Sequence, residues 1–286
     1  MPWWQMSASD SSSAARPEEA GQLERELALL TGSRQQARWI LEDARHAPDP
    51  PAVARRLAAR RAAGEPLQHL LSRWGFRSLL LRADGRALVP RPETELVVEV
   101  ALSQLPPAGP LLLADLGTGS GAIALSLAVE VGPRARLFAT DVSAPALSLA
   151  RENAALLAPS HRGLEEQVCF RQGSWFEALP AQVRGQLDLV ISNPPYLAAG
   201  EWPDLEPVVR DYDPYEALVA GPAGTEAIEV LVSEAPAWLG VGGVVVLEIA
   251  PHQAEAALEL ARKSGFGRSL VRADLAGRPR ALVARR

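Results

Sequence analysis

The chain has 286 residues, of which 48% are apolar, and it carries a formal net charge of −5 at pH 7. That size and apolar content suit one large core with a small accessory domain, and the acidic total argues against a broadly basic, nucleic-acid-binding surface. The single cysteine, Cys169, excludes an internal disulfide and a cysteine-rich metal site, and its apolar surroundings in QVCFRQG predict a small buried side chain.

The first twenty residues, MPWWQMSASDSSSAARPEEA, lack the basic segment and following apolar run of a secretory signal. No apolar run elsewhere approaches the roughly 20 residues that a membrane span requires. We therefore predict a disordered tail over residues 1–20 and a cytoplasmic protein with no membrane partner.

Residues 21–72 carry apolar side chains at helical spacing. The pattern runs through QLERELALL, ARWILEDA and VARRLAARRAAG, with breaks at Gly32 and at APDPP, and it predicts a small N-terminal helical domain. Residues 73–90 then change towards strand character in WGFRSLLLRADGRALVP. The Asp84-Gly85 pair in this segment is a turn signal, so we expect a linking β-hairpin with its turn there.

From residue 91 to residue 286, strand-like runs alternate with helical ones. The predicted strands include LLLADLG, RLFATD, VCFRQG, LDLVIS and GVVVLEI, and the helical runs between them include AIALSLAVEV and APALSLARENAALL. Such alternation is typical of an α/β fold with a doubly wound, mostly parallel sheet. The final RSLVRADLAGRPRALVARR adds two short strand-like runs, which predict a closing hairpin.

A glycine-rich turn follows the first of these strands. Gly117, Gly119 and Gly121 fall between LLLADL and the next helical run. Glycine permits positive φ and close approach of a ligand to the backbone, and the helix that follows offers free N–H groups, so we expect a nucleotide-like ligand. Gly117, Gly119 and Ala122 also satisfy the dinucleotide pattern, so the loop alone does not separate NAD from S-adenosylmethionine.

Two aspartates flank this turn. Asp141 ends the next strand, in LFATD, where a carboxylate can accept hydrogen bonds from both hydroxyls of a ribose; we favour that role over a helix N-cap. Asp115 has two open roles, as a brace for the glycine turn or as a partner for a ligand amine.

The stretch NPPY, Asn193 to Tyr196, follows the fourth strand and should emerge at the same sheet edge as the glycine turn. Pro194 and Pro195 fix φ and push the preceding residue out of the helical region, so the corner is stiff. The side-chain oxygen of Asn193 and the carbonyl of Pro194 can then accept from one NH2 group, with Tyr196 as a flat wall. This arrangement favours methyl transfer to a planar nitrogen over hydride transfer.

Together, NPPY and DLGTGSGAIALSLA resemble class I S-adenosylmethionine-dependent amino-methyltransferases, a group that includes adenine-N(6) DNA and RNA enzymes. LVPRPETELVVE, residues 88–99, narrows the resemblance to the HemK/PrmC family, which methylates the glutamine of the Gly-Gly-Gln loop in peptide chain release factors. GEPLQHLL, WGF, GSWFEAL and YEALVAGPAGTEAIEVLV also match, so the resemblance extends from about residue 20 to the end of the chain.

The resemblance implies a Rossmann-like class I methyltransferase domain over residues 91–286, with a seven-stranded, mostly parallel sheet and a closing antiparallel hairpin. It implies S-adenosyl-L-methionine as cofactor, a class I release factor as partner, a substrate-recognition role for residues 21–72 and a monomer. The cofactor's methionine end would lie against the glycine turn, its ribose at Asp141 and its adenine near Trp175, while Asn193 to Tyr196 would hold the glutamine. The turn residues are Gly117, Thr118, Gly119, Ser120 and Gly121.

The chain departs from the family pattern in two places. Ser174 stands where the family has an acidic residue before the Trp-Phe pair, so we expect the contact with the adenine amino group to be weaker or to be made by the backbone. Asp213 and Glu216 replace the family's Glu-Pro pair with an altered spacing.

Two other functions are compatible with the motifs. One is methylation of adenine-N(6) or another amino group in nucleic acid or protein, which calls for a basic groove that the composition does not supply. The other is a catalytically silent cofactor-binding subunit, which would not need an intact NPPY. We expect no stable nucleic-acid binding and no metal site, since the four histidines have no ligand spacing.

Overall fold

The structure is a computed structural model that describes residues 17–286. Residues 1–16 of the predicted disordered tail lie outside the described residues. Residues 17–20, the rest of that predicted tail, belong to the first helix. Over residues 17–286, no helix is long and apolar enough to cross a membrane.

Four helices form an N-terminal bundle around a core of its own that includes Leu27, Ile40 and Leu57. Ser33 and Asp49 cap the second and third helices, since each side chain accepts a hydrogen bond from a backbone N–H of the first turn. The helices are α1 (Pro17–Thr31), α2 (Arg34–Ala44), α3 (Pro50–Ala62) and α4 (Leu67–Leu71).

A two-stranded hairpin follows the bundle, formed by β1 (Trp74–Phe76) and β2 (Leu79–Leu81). The prediction that it turns at Asp84-Gly85 is wrong, because the strands reverse around Arg77, which adopts a left-handed φ of 52°. Contacts with the main domain hold this conformation: the Arg77 N–H donates to Glu95, and its guanidinium pairs with Glu130 and Glu99. Long-range ion pairing here outweighs the local preference for glycine.

The main sheet has seven strands in the order β10-β11-β9-β6-β3-β4-β5, and β11 runs antiparallel to both of its neighbours. This confirms the predicted mostly parallel sheet with a closing hairpin. A separate short pair, β7 with β8, lies in the segment after NPPY. The strands are β3 (Leu111–Leu116), β4 (Ala135–Asp141), β5 (Val168–Gln172), β6 (Leu187–Ser192), β7 (Leu197–Ala198), β8 (Val219–Gly221), β9 (Leu239–Glu248), β10 (Arg268–Ala273) and β11 (Pro279–Arg285).

Helices cover both faces of the sheet, and each face has its own apolar cluster. Side chains alternate along β3, so that Leu113 joins one cluster and Ala114 joins the other. The helices of this domain are α5 (Pro92–Gln104), α6 (Ala122–Val131), α7 (Ala144–Leu157), α8 (Leu164–Gln167), α9 (Pro207–Arg210), α10 (Tyr215–Leu218), α11 (Glu226–Trp238) and α12 (Ala254–Lys263).

The prediction that Cys169 is buried is wrong, because its side chain is exposed. Cys169 belongs to β5, the edge strand of the sheet. Its neighbours Val168 and Phe170 pack against one apolar cluster, so Cys169 points to the other face, where the second cluster does not extend to the edge.

Residues 82–91, here called the strap, run from the hairpin to α5 over the carboxyl ends of the central strands. Asn153 of α7 fastens the strap to the glycine turn. Its fully buried side chain accepts from the Arg82 N–H at 2.7 Å and donates to the carbonyl oxygen of Ser120 at 2.9 Å. One amide thus satisfies backbone groups from two separate segments.

Replacing Asn153 with alanine should lower the free energy of unfolding by about 1–3 kcal/mol, because backbone groups of Arg82 and Ser120 lose their buried partner. Chemical denaturation measures the change. Ser148→Ala, at an exposed position of the same helix, is the control and should leave stability within about 0.5 kcal/mol of the parent. Equal stability of the two variants would contradict the role given to Asn153.

Candidate active site

A cavity of about 460 Å³ opens at the carboxyl ends of β3, β4 and β6. Such a crevice, where parallel strands end and loops diverge, is the usual ligand site of an α/β sheet. The strap forms one wall, and the segments after β6 and before α10 form another. The wall residues used below are Arg86, Thr94, Gly117, Thr118, Gly119, Ser120, Asp141, Trp175, Asn193, Pro195 and Glu216.

The glycine turn places backbone against the cavity. Gly117 and Gly119 have φ values of 75° and 55°, which only glycine adopts without strain. A Cβ on Gly117 would lie 3.2 Å from the Trp175 ring, so a side chain there would displace the aromatic wall. Gly121 is not part of the wall; it is the N-cap of α6, where an added Cβ would lie 3.1 Å from the Cβ of Ala150.

Asp115 lies beneath this turn and is fully buried. One of its carboxylate oxygens accepts from the Thr118 hydroxyl at 2.6 Å and from the Ala124 N–H at 3.1 Å. Burial raises the pKa of Asp115 to about 7. Of the two roles left open by the sequence, the contacts assign the brace of the glycine turn, since Asp115 is not part of the cavity wall.

Asp141 ends β4 on the cavity wall. Its two oxygens accept separate backbone hydrogen bonds of 2.9 Å, from Gly119 and from Ser143, which fix the plane of the carboxylate. The N-cap of α7 is Ser143, whose hydroxyl accepts from Ala146, so the helix-capping role falls to that residue. Burial raises the pKa of Asp141. Each oxygen keeps a lone pair for a ligand hydroxyl.

Trp175 supplies an aromatic face beside Gly117. Its φ of 42° is unusual for a bulky residue, and its carbonyl oxygen accepts from the Thr140 hydroxyl at 3.5 Å. A residue held in an uncommon conformation next to a cavity indicates a functional constraint. Ser174, where the family pattern has an acidic residue, is not part of the wall.

The NPPY corner reaches the cavity with two of its four residues. Asn193 and Pro195 are part of the wall, whereas Pro194 is buried and Tyr196 lies behind it. The backbone of Tyr196 anchors the corner, since its N–H donates to Leu218 at 3.2 Å and its carbonyl accepts from Gln253 at 3.1 Å. Burial raises the pKa of the Tyr196 hydroxyl.

Two residues that were not among the predicted site residues support Asn193: Thr94 contacts it directly, and Glu248 contacts Thr94. The Nδ2 of Asn193 donates to the Thr94 hydroxyl at 3.1 Å, and that hydroxyl donates to Glu248 at 2.7 Å. Both partners are buried, at 4% and 1% exposure. Two features of the sequence could have indicated these residues: Thr94 is the one uncharged polar residue in RPETE, and Glu248 directly follows the apolar run GVVVL.

The sequence prediction also did not include the strap residues that form part of the cavity wall. Ala87, Leu88 and Pro90 line the cavity there. Leu88 and Pro90 belong to the family-like stretch LVPRPETELVVE, but no contact with a ligand was predicted for them. Arg86 of the same segment, also part of the wall, pairs with Asp84 and with Glu152 of α7, which ties the strap to that helix.

The wall residues fit a nucleoside linked to an amino acid. The glycine backbone, a fixed carboxylate and a tryptophan face can take the carboxyl-bearing end, a ribose and a base respectively, all within one cavity. A planar amide corner at the end of that cavity adds an acceptor for an NH2 group. Fold and site together define a class I S-adenosylmethionine-dependent methyltransferase.

Comparison with known proteins narrows this class. Residues 112–231 match a family model described as a methyltransferase domain. A release factor glutamine methyltransferase of Moorella thermoacetica is 44% identical over 79% of this chain and 77% of the relative. A relative with the same name from Deinococcus radiodurans is 44% identical over 84% of this chain and 81% of its own length. The chain therefore belongs to the release factor glutamine methyltransferase family.

Among solved structures, the hMettl16 catalytic domain in complex with MAT2A 3'UTR hairpin 1 aligns with a TM-score of 0.56. The alignment covers 80% of each chain at 17% identity, which shows a shared fold.

Replacing Asp141 with asparagine should weaken S-adenosylmethionine binding by about 10- to 100-fold, because a charged acceptor is lost from a partly buried site. Isothermal titration calorimetry measures the affinity. Asp188→Asn is the matched control, since Asp188 also accepts a backbone hydrogen bond, from Leu112 at 2.8 Å, but at the opposite end of the sheet. Equal affinities for the two variants would show that Asp141 does not bind the cofactor.

Proposed function

We propose that this protein transfers a methyl group from S-adenosylmethionine to the side-chain amide nitrogen of the glutamine in the Gly-Gly-Gln motif of class I peptide chain release factors. The main support is the geometry of the Asn193 amide at the cavity wall. Its Nδ2 donates to Thr94, so its oxygen is available to accept from a substrate NH2. Family membership supports the glutamine amide as that group, since the relatives bear that name.

The chemistry requires positioning. The lone pair of an amide nitrogen is delocalised into its carbonyl, so the nitrogen attacks only when it is held in line with the methyl group. When bound, S-adenosylmethionine supplies that methyl as part of a sulfonium cation. The N–C bond forms as the C–S bond breaks, the electron pair stays on sulfur, and one amide proton leaves to water.

Asn193 and Pro194 stabilise the transition state of this reaction. We assign acceptance of the two amide hydrogens to the Asn193 side-chain oxygen, which lies on the cavity wall, and to the Pro194 carbonyl of the same rigid corner, although Pro194 itself is not part of that wall. As positive charge grows on the nitrogen, these hydrogen bonds become charge-assisted and therefore strengthen in the transition state. Pro195 keeps the corner rigid, and Tyr196 holds it through its backbone contacts.

No strong base is needed at this site. The only titratable side chains that line the cavity, within residues 17–286, are Arg86, Asp141 and Glu216. Asp141 is fixed by two backbone N–H groups, Arg86 is paired with Asp84 and Glu152, and Glu216 is exposed to solvent at the start of α10. The wall therefore supports catalysis by acceptors and alignment, with water as the final proton acceptor.

The test is methyl transfer from labelled S-adenosylmethionine to a purified class I release factor. The same factor with its Gly-Gly-Gln glutamine replaced, and duplex DNA, are tested beside it. Label that depends on this glutamine is the expected result. Label on DNA alone, or label on the factor that survives replacement of the glutamine, would overturn the proposal.

Asn193→Ala should lower kcat by about 10²- to 10⁴-fold, as expected for loss of a transition-state hydrogen-bonding group. Cofactor affinity, measured by calorimetry, should change far less. Gln186→Ala is the control, because Gln186 carries an exposed amide beside the opposite end of β6. A kcat for Asn193→Ala equal to that of the control would contradict the mechanism.

A further inference from the structure

The amide of Asn193 has two sides of similar size and opposite chemistry. Its oxygen accepts hydrogen bonds and its NH2 donates them. Only the oxygen can accept from a substrate NH2, so a reversed amide would present hydrogens to hydrogens. The 3.1 Å bond from Nδ2 to the Thr94 hydroxyl oxygen fixes which side faces the cavity.

The direction of that bond depends on Glu248. The Thr94 hydroxyl has a single hydrogen, which it donates to Oε2 of Glu248 at 2.7 Å. An ionised carboxylate accepts and cannot donate. The hydroxyl therefore has only lone pairs left for Asn193, and the order of donors runs one way, from the amide through the hydroxyl to the carboxylate.

Three elements bring these groups together. Ser192 and Leu247 are parallel partners in β6 and β9, so the next residues, Asn193 just beyond β6 and Glu248 at the end of β9, lie side by side. Thr94 comes from the first turn of α5. The hydroxyl and the carboxylate are almost fully buried, so water does not compete for their hydrogen bonds.

We propose that Thr94 and Glu248 are positioning residues for methyl transfer: the Glu248 carboxylate, acting through the Thr94 hydroxyl, holds the Asn193 amide with its oxygen towards the substrate nitrogen. This inference rests on the proposed function and adds two residues that act through Asn193.

The charge of Glu248 gives the arrangement a pH dependence. Arg280 faces Glu248 from β11, Arg91 and Glu93 face it from the start of α5, and Tyr196 faces it from the corner after β6. Burial outweighs the two arginines and raises the pKa of Glu248 to about 7. Below that pH the protonated acid can donate, and the one-way order is lost. The kcat of the wild-type protein should therefore rise with pH through about 7.

The test compares Thr94→Val, Thr94→Ser and Glu248→Gln. Valine removes the hydroxyl, and glutamine can donate as well as accept, so both should lower kcat by about 10- to 100-fold through misalignment. The KM for S-adenosylmethionine should stay within about twofold of the parent, and serine should restore most of kcat because it keeps the hydroxyl. Glu248→Gln should also lose the rise in kcat near pH 7.

Thr225→Val is the matched control. The Thr225 hydroxyl also donates to a glutamate, Glu229, at 2.7 Å, but at the exposed start of α11 with no amide on its other side. This variant should keep wild-type kcat. Thermal unfolding and cofactor binding verify that each variant is folded. If Thr94→Val does not fold, Glu248→Gln still tests the inference, because glutamine has nearly the same size as glutamate.

A double-mutant cycle separates positioning from general stability. Adding Thr94→Val to Asn193→Ala should lower kcat no further, because the amide that Thr94 orients is already absent. A full additional loss, or wild-type kcat for Thr94→Val or Glu248→Gln, would overturn the inference while the proposed function stands. Absence of glutamine-dependent transfer by the wild-type protein would overturn the proposed function, and the inference with it.

Discussion

Two hydrogen bonds, from the N–H groups of Gly117 and Thr118 to the carbonyl oxygen of Thr140, are the contacts on which the site depends. Both are 2.8 Å long, and they extend the β3–β4 ladder one step beyond the end of β3. The chain makes this step in a left-handed conformation, which Gly117 adopts without strain. With the turn fixed in this way, backbone faces the cavity where a side chain would otherwise stand.

Burial then determines what each polar group around the turn does. Asp115, fully buried, braces the turn from below, whereas Asp141 reaches the cavity with both oxygens already oriented by backbone N–H groups. The same principle holds at the far wall, where the buried Glu248, which is not part of the cavity wall, acts on Asn193 through the Thr94 hydroxyl. Groups that face the ligand are thus oriented by groups that do not, which keeps the site in place before a ligand binds.

Much of this arrangement could be predicted from the sequence, because the signals are local. A strand, a glycine turn and a helix occur in one continuous stretch, and the ends of parallel strands share an edge whatever their order. Gly117, Asp141 and Asn193 were accordingly expected near one another, and the family resemblance added Trp175; all four line the same cavity.

The rest depends on contacts between distant parts of the chain. Thr94 and Glu248 are 154 positions apart, and only the pairing of β6 with β9 brings Glu248 beside Asn193. Arg77 turns the hairpin because carboxylates of α5 and α6 reach it. Cys169 is exposed because β5 lies at the edge of the sheet. No local pattern contains strand order or ion-pair partners, so these features could not be read from the sequence.

The strap has a further consequence for how two ligands would influence each other. It continues directly from the hairpin that follows the helical bundle, and its other side covers the cavity. A small molecule beneath the strap and a protein that contacts the hairpin would therefore bind to the two ends of one short segment. Any free energy by which the first ligand orders that segment must reappear as tighter binding of the second, by thermodynamic reciprocity. The order of binding would then be a property of about ten residues that take no part in the chemistry.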